Sequence, residues 1–524
     1  MAVPVLIGWS VGNTPAGLAA TIGGFTALYG SGRPFANRAG YLATVAAGFA
    51  GVVMLGAWAD ATPGTAIAVV TVISAVAVWL CNALSIRPPG AYLPVLACAA
   101  GTGSHLPPLH LGALVLAGGA FAWLAHMAGA LIDPRGPERA AVAAAGQAVA
   151  DYIEAPDPDH RHQAAHLLHE AWVDLVTFQP ARGHPDPALS QLRTANRQLH
   201  IMFAQALTAA DHNLPMPADG AARARVLARV PTDIEDPNVD MIPLGRPSIG
   251  ELLHRAAAPG STSAQLATRA ALAAAISGAL ASALTLNQVY WAMAAAVLML
   301  HQGFDWHRTV QRGIERTAGT WLGLGLTGVI MLAAPKGPQL ALTLGVLQFA
   351  MQMLVPRNYT LAAIFITPSA LLIAAGARPT ADVPALLTAR GLDTLIGCAV
   401  ALLVLRLTLR SDGRGPAAAM AGTLDAVAGV LNDLRAGTVS TPAARADRRE
   451  LQLRADTILP RYDNAIGGSA RQRAAAEQLW PAISATQHLA YRTLAACWIA
   501  EQNGSEDARE VDRISLALND LRHN

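Results

Sequence analysis

The chain has 524 residues, 53% of them hydrophobic and only 14% charged, against about 25% charged in soluble proteins. A formal net charge of +2 gives no basis for binding nucleic acid or an acidic partner. Cys81, Cys98, Cys398 and Cys497 follow no metal spacing and build no disulfide framework, which argues against a zinc module and a disulfide-stapled fold.

Charge divides the chain into residues 1–132, 133–262, 263–410 and 411–524. The first block is apolar, with spans expected near 15–31, 39–58, 64–82, 90–105 and 111–131. Residues 1–9 lack the basic start and cleavage site of a signal peptide. Residues 1–11 read as the remnant of a sixth span, too short to cross alone. A start placed too late is the alternative.

The second block is dense in Asp, Glu, Arg and His. Amphipathic helices are expected over 138–178 and 188–211, with Leu167, Leu168, Trp172, Leu175 and Val176 as an apolar stripe. A turn at 179–187 separates them, and 213–250 reads as a loop or linker. His162, His166 and His169 share a helix face. A bare helix rarely closes a tetrahedral site, so they read as a solvated or interhelical face and no metal is expected.

The third block is apolar again, with spans near 264–285, 287–301, 313–334, 339–355, 359–376 and 388–409. A 22-residue helix reaches roughly 33 Å, enough for a hydrocarbon core of about 30 Å. The fourth block is charged, with helices near 416–436, 442–466, 469–501 and 505–522 that Trp480, Tyr491 and Trp498 are expected to pack together.

Loop charges set the orientation. Arg33 and Arg38 share one loop, Arg87 lies two crossings later, and Arg135 two after that. His307, Arg308, Arg312 and Arg316 repeat the pattern, followed by Arg357 and then by Arg406 and Arg410. The positive-inside rule puts these loops and both charged blocks in the cytoplasm. Both apolar blocks then have the same orientation, a parallel repeat. The expectation is an all-α polytopic membrane protein with two parallel repeated blocks, eleven or twelve spans, and cytoplasmic helical domains, in a bacterial inner membrane.

Polar residues inside the third block carry the functional reading. Asn287, Gln288, Tyr290 and Trp291 cluster at a span start, to hydrogen-bond an acid group and stack on a ring; an aromatic belt is the alternative. Arg308, Arg312 and Arg316 recur every four residues, as an anion-collecting mouth or as headgroup anchors. Gly319 and Gly323 have the spacing of close helix packing. Gln348 and Gln352 line a polar path or bridge helices. Arg390 and Asp393, three apart, hold an anion and a proton, or pair with each other to let the helix pack.

Tyr290-Trp291, then Arg316 with Gly319-Thr320, then Asn358-Tyr359 with Thr367-Pro368, then Arg390 with Asp393-Thr394 follow in order. In this the block resembles the fusaric-acid-resistance-like family, also called the aromatic acid exporter family. After Arg38 the first block has Tyr41 and Leu42 where the motif has Gly319 and Thr320; Arg87, Tyr92 and Thr102 are loose counterparts of Arg357, Tyr359 and Thr367. The resemblance implies export of small, often aromatic, organic anions. A more distant likeness to plant malate channels leaves a passive channel open, and a membrane scaffold or sensor is the non-transporting alternative. No nucleotide-binding or catalytic motif is present, so neither an enzyme, a cofactor nor ATP-driven transport is expected.

The expected pathway comprises Asn287, Tyr290, Trp291, Arg316, Thr320, Tyr359, Thr367, Arg390, Asp393 and Thr394, with Asp393 coupling export to a proton gradient. The expected partners are the bilayer and a small organic anion, with a second copy of the chain left open.

Overall fold

The structure, a computed structural model, describes every residue except 61, 87, 105, 179–186, 230–247, 287–288, 304–305, 356, 375–382, 409–414, 506 and 524. The described residues form helices and no strand. In chain order these are α1 (Ala2–Ser10), α2 (Thr14–Gly23), α3 (Phe35–Ala59), α4 (Pro63–Ala83), α5 (Tyr92–Thr102) and α6 (Pro108–Met127). Next come α7 (Gly136–Glu154), α8 (Pro158–Trp172), α9 (Pro187–Asp211) and α10 (Gly220–Leu227). Then follow α11 (Ile249–Ala257), α12 (Thr262–Ala283), α13 (Tyr290–Leu300), α14 (Trp306–Ala333), α15 (Pro338–Leu354), α16 (Tyr359–Ala374) and α17 (Val383–Thr408). The last are α18 (Pro416–Arg435), α19 (Pro442–Ile466), α20 (Ala470–Asn503) and α21 (Ala508–His523).

The chain divides into two compact units. The first holds residues 1–31, 39–128 and 247–410. Among the described residues, five helical stretches are long and apolar enough to cross a membrane: Phe35–Ala59, Pro63–Ala83, Pro108–Leu131, Thr262–Ala283 and Leu387–Thr408. Val72 and Val76 on α4, Phe121 and Leu124 on α6, and Leu322, Val329 and Leu332 on α14 are exposed. Large apolar surface of this kind is costly in water and costs nothing in hydrocarbon. The protein is an integral, multi-pass membrane protein.

The two apolar blocks are built alike and grip each other reciprocally. Helix α1 packs on α2 as α12 packs on α13, α2 on α6 as α13 on α17, and α4 on α5 as α15 on α16. Across the blocks, α4 packs on α12 and α15 on α1, while α5 packs on α13 and α16 on α2. The nine-residue α1 thus stands where α12 stands in the other block. The apolar clusters follow the same rule: Val5 and Leu18 pack with Leu340 and Leu344, and Val70 and Val95 with Leu266 and Met293.

Several elements are shorter than the spans the sequence predicts. Helices α5 and α13 have 11 residues each and α2 has 10, continued by a 3₁₀ turn over Gly24–Leu28. Eleven residues reach only about 17 Å at ~1.5 Å per residue, half of a hydrocarbon core. Such half-helices survive in a membrane unit when protein surrounds them. Helix α13 meets that condition, being buried from Trp291 to Leu300. Their ends therefore lie inside the unit, which is what brings polar groups there.

Small residues set the distances between the long helices. A Cβ on Gly319 would lie 2.6 Å from the Thr360 carbonyl oxygen, and one on Gly323 would lie 2.8 Å from that of Ile364. Only glycine lets α14 approach α16 so closely, as the sequence spacing predicts. Likewise a Cβ on Gly397 would lie 2.3 Å from the Ala292 carbonyl oxygen, fixing α17 on α13.

The second unit holds residues 32–38, 129–246 and 411–524. Helices α7 to α10 and α18 to α21 share one core, including Val149, Leu168, Leu199, Leu207, Leu431 and Tyr491. The predicted helix over 138–178 is broken after Glu154, because Pro156 and Pro158 interrupt it and the Asp157 side chain accepts from His160 N to start α8. Residues 213–250, predicted as a loop or linker, contain α10, and 230–247 lie outside the described residues. Of the three aromatics predicted to pack the last helices, Trp480 does not join the core: it is 41% exposed and lies against Tyr462, ring centroids 4.7 Å apart. The histidine face is interhelical at His162, whose Nδ1 is 2.8 Å from Tyr491 Oη and 2.9 Å from Gln487 Nε2.

His200 gives this unit a pH dependence. Its ring sits between Trp172 and Trp498, with Nδ1 donating to the Asn196 carbonyl at 2.9 Å. Burial pushes its pKa down to about 4, and burial also lowers those of His162 and His169. A folded pKa below the unfolded value near 6.5 means that the unfolded chain binds the proton more readily. The stability His200 supports is therefore intact above pH ~6.5 and is lost as pH falls toward 4, by up to about 1.4 kcal/mol per pH unit. Unfolding of the whole protein followed between pH 7 and pH 5 should show this loss. His200→Gln should flatten the slope; an unchanged slope in that variant would assign the loss elsewhere.

Candidate functional site

The polar residues of the first unit converge where the half-helices end. Arg316 lies in the third turn of α14 and is 2% exposed. Its Nη1 donates to Tyr359 Oη at 3.3 Å and its Nη2 to Tyr92 Oη at 3.4 Å. Both bonds are long. Each phenol accepts from the arginine, so its own proton is left to donate elsewhere. Tyr92 begins α5 and Tyr359 begins α16, the same place in each block.

Arg390, in α17, is 2% exposed and lies flat on Trp291, its guanidinium carbon 3.7 Å from the ring centroid. That is close cation–π contact. Trp291 is the second residue of α13, held there by the Gly397 contact described above. Arg390 is within electrostatic range of Arg316, Tyr92, Asp393 and Tyr290. Among the described residues, Arg390 Nε and Nη1 and Arg316 Nε have no hydrogen-bond partner.

Asp393 is fully buried one turn after Arg390, and neither carboxylate oxygen has a hydrogen-bond partner among the described residues. The mutual pairing of Arg390 and Asp393 that the sequence allows is thus not what is found; the arginine takes the indole instead. Arg390 is within electrostatic range of both Arg316 and Asp393, so these three buried groups together carry one positive charge in excess.

The remaining predicted residues divide. Thr320 is buried and its hydroxyl has no partner among the described residues. Thr367 and Thr394 donate to the Ala363 and Arg390 carbonyls of their own helices, at 3.0 Å each, so their protons are already used. The Tyr290 ring packs against Gly103 at the end of α5 and against Trp291, ring centroids 5.2 Å apart. Asn287 and Gln288 lie outside the described residues. Gln352 is exposed on the surface of the unit and Gln348 half-buried.

Depth grades the arginine stripe on α14. Arg308 and Arg312 are half-buried and Arg316 is enclosed. Arg312 lies over the Tyr359 ring, its guanidinium carbon 4.8 Å from the centroid, and donates to Gln302 Oε1 at 2.7 Å. Glu315, also in α14, is half-buried and accepts from Gln311 at 2.8 Å. Beyond Tyr290 a cavity of about 520 Å³ opens, lined by Asp60, Thr102, Thr285 and Met293 among others.

Tyr92 is the site residue that sequence reasoning missed. It belongs to the first block, while every predicted pathway residue belongs to the second. Its signal is positional: it is the counterpart of Tyr359, and both hydroxyls end on one guanidinium.

Comparison with known proteins identifies the second block. Residues 273–404 match the fusaric acid resistance protein-like family model. This fusaric acid resistance-like segment contains Trp291, Arg316, Tyr359, Arg390 and Asp393; Tyr92 reaches the same site from outside it. The chain is also 28% identical over 538 residues to the uncharacterized membrane protein YvaC of Bacillus subtilis (strain 168), covering 94% of this chain and 83% of the relative. No solved structure matches.

Proposed function

We propose that the protein exports small organic acids across the bacterial cytoplasmic membrane, driven by a proton gradient. The observation that carries this reading is the Arg316–Arg390–Asp393 cluster, enclosed in a membrane unit with one positive charge in excess and with unused donors. Fixed positive charge in a low-dielectric path attracts an anion strongly, and its open donors give a carboxylate something to bind. Trp291, Tyr92 and Tyr359 add flat apolar faces and hydroxyl donors, which suit an aromatic acid. The fusaric acid resistance-like segment supports a transport role.

Substrate would enter past Arg308 and Arg312, bind between Arg316 and Arg390, and leave past Tyr290 into the cavity beyond it. Asp393 would carry the coupling proton. The test is flux of benzoate and short aliphatic carboxylates from proteoliposomes with and without an imposed pH gradient. Flux that ignores the gradient would make the protein a passive channel.

In this reading the second unit is cytoplasmic, on the strength of the arginine-bearing loops. Asp159 is exposed at the start of α8. An Asp159→Cys variant with the native cysteines replaced should resist impermeant maleimide in intact cells and react after lysis. Labelling in intact cells would reverse the orientation.

A further inference from the structure

Tyr290 belongs both to the arginine site and to the cavity beyond it. Its half-buried ring forms part of the wall of that cavity, which measures about 520 Å³. It lies within electrostatic range of Arg390 and Asp393 in the site and of Asp60 on the cavity wall. The two environments differ in sign. Arg316, Arg390 and Asp393 carry one positive charge in excess, whereas Asp60 is the one charged residue among the described residues that line the cavity. An anion is therefore attracted into the site and repelled in the cavity, and a proton the reverse.

Two contacts hold the ring. Trp291 carries Arg390 on its face at 3.7 Å, and its indole N–H donates to the Tyr290 hydroxyl. The second contact comes from the first block, at Gly103, which follows the last residue of α5. A Cβ built on Gly103 would lie 2.9 Å from Tyr290 Oη and 3.3 Å from two of its ring carbons, the three nearest atoms it would meet. The backbone there, at φ −101° and ψ 9°, is open to residues with a side chain. What a side chain at 103 would displace is thus the tyrosine ring, and glycine is what lets the ring rest against the end of α5. A close-packed contact of this kind excludes water, and a rotamer change of one side chain opens it.

We propose that Tyr290 is the gate between the arginine site and the outer cavity. Closed, its ring rests on Gly103; open, it swings into the cavity. Because Trp291 touches both Arg390 and Tyr290, an anion that draws Arg390 off the indole frees Trp291, and with it one of the two holds on the ring. What passes the gate rests on the transport reading; the gate itself is read by access and not by flux.

The experiment uses the full chain with the native cysteines replaced and Asp393→Cys as its one thiol. An impermeant anionic methanethiosulfonate is applied to intact cells and, separately, to inside-out membrane vesicles. The thiol at 393 should react slowly from the cavity face. Gly103→Ala should speed that reaction roughly 10-fold or more by displacing the ring, and Tyr290→Ala should do the same by removing it. Combining Gly103→Ala with Tyr290→Phe takes away the atom of closest contact and should bring the rate back to within about threefold of the starting chain. Reaction from the opposite face should stay within about threefold throughout, since a general loosening would raise both. Should Gly103→Ala fail to insert, Tyr290→Ala decides alone. Rates that neither substitution changes, or that rise equally from both faces, would overturn the proposal. Labelling needs no transport, so driven export by the chain with Gly103, Tyr290 and Asp393 intact is read separately. Its absence would sink the transport reading and leave the gate; ungated labelling would sink the gate and leave the transport reading.

Discussion

Replacing Arg316 and Arg390 together by alanine should cut carboxylate export by on the order of 100-fold or more, while the protein still inserts. Each guanidinium offers charge-assisted hydrogen bonds, worth about 1.5–3 kcal/mol apiece in a desolvated site. Removing both removes two such bonds and all of the excess positive charge at the site. Asp393 would then stand as a lone buried carboxylate, which repels an anion or takes up a proton. The single variants should lose less, because either arginine alone still attracts the substrate. Arg316→Lys should fall between, since an ammonium does not reproduce the fork held between Tyr92 and Tyr359. The measurement is initial export rate in proteoliposomes, normalised to protein that elutes as a single species. Undiminished export by the double variant would remove the anion path as drawn.

Asp393→Asn should abolish gradient-driven accumulation and leave downhill exchange of the same carboxylate largely intact. The substitution preserves shape and removes the titratable group. Asp393 is enclosed, has no hydrogen-bond partner among the described residues, and lies one turn from Arg390. In the proposed mechanism its charge would respond to whether an anion occupies that arginine, which is the link that coupling requires. The expected fall in driven export is at least 10-fold, with carboxylate affinity changed by less than about threefold; a threefold change is about 0.65 kcal/mol. The split between driven flux and exchange separates a coupling role from a packing role, since a packing defect lowers both. Full driven export by Asp393→Asn would take the proton role from this residue.

Much of the candidate site was legible because charge inside apolar sequence is conspicuous. Arg316, Arg390 and Asp393 stand out on composition alone, and Tyr290-Trp291 marks the start of a helix. The partners of those charges were not legible. Arg390 with Asp393 reads on a helical wheel as an ion pair, but the pairing found is arginine with Trp291, from a helix about a hundred residues earlier. Helical spacing encodes neighbours on one helix only. Thr367 and Thr394 look like pathway hydroxyls in the sequence, yet in a helix a threonine one turn above a carbonyl bonds to it first. Tyr92 sits in a block whose motif is eroded, and only the meeting of two helix starts from separate blocks brings its hydroxyl to Arg316.

The sequence by itself determined the class of the molecule. Long apolar runs require helices in a bilayer, the order of arginine-bearing loops implies a parallel repeat, and Gly319-x-x-x-Gly323 marks a close helix contact. These are local properties, and each is written in a few consecutive residues. Only the tertiary structure decided that α5 and α13 stop halfway and that each block packs its helices reciprocally on the other. It also decided that Arg316 is held by one tyrosine from each block. Helix length in a membrane unit depends on whether protein or lipid surrounds the ends, and a buried charge chooses its partner among whatever the packing brings near. Both are set by contacts between residues far apart in the chain, which no window of sequence contains.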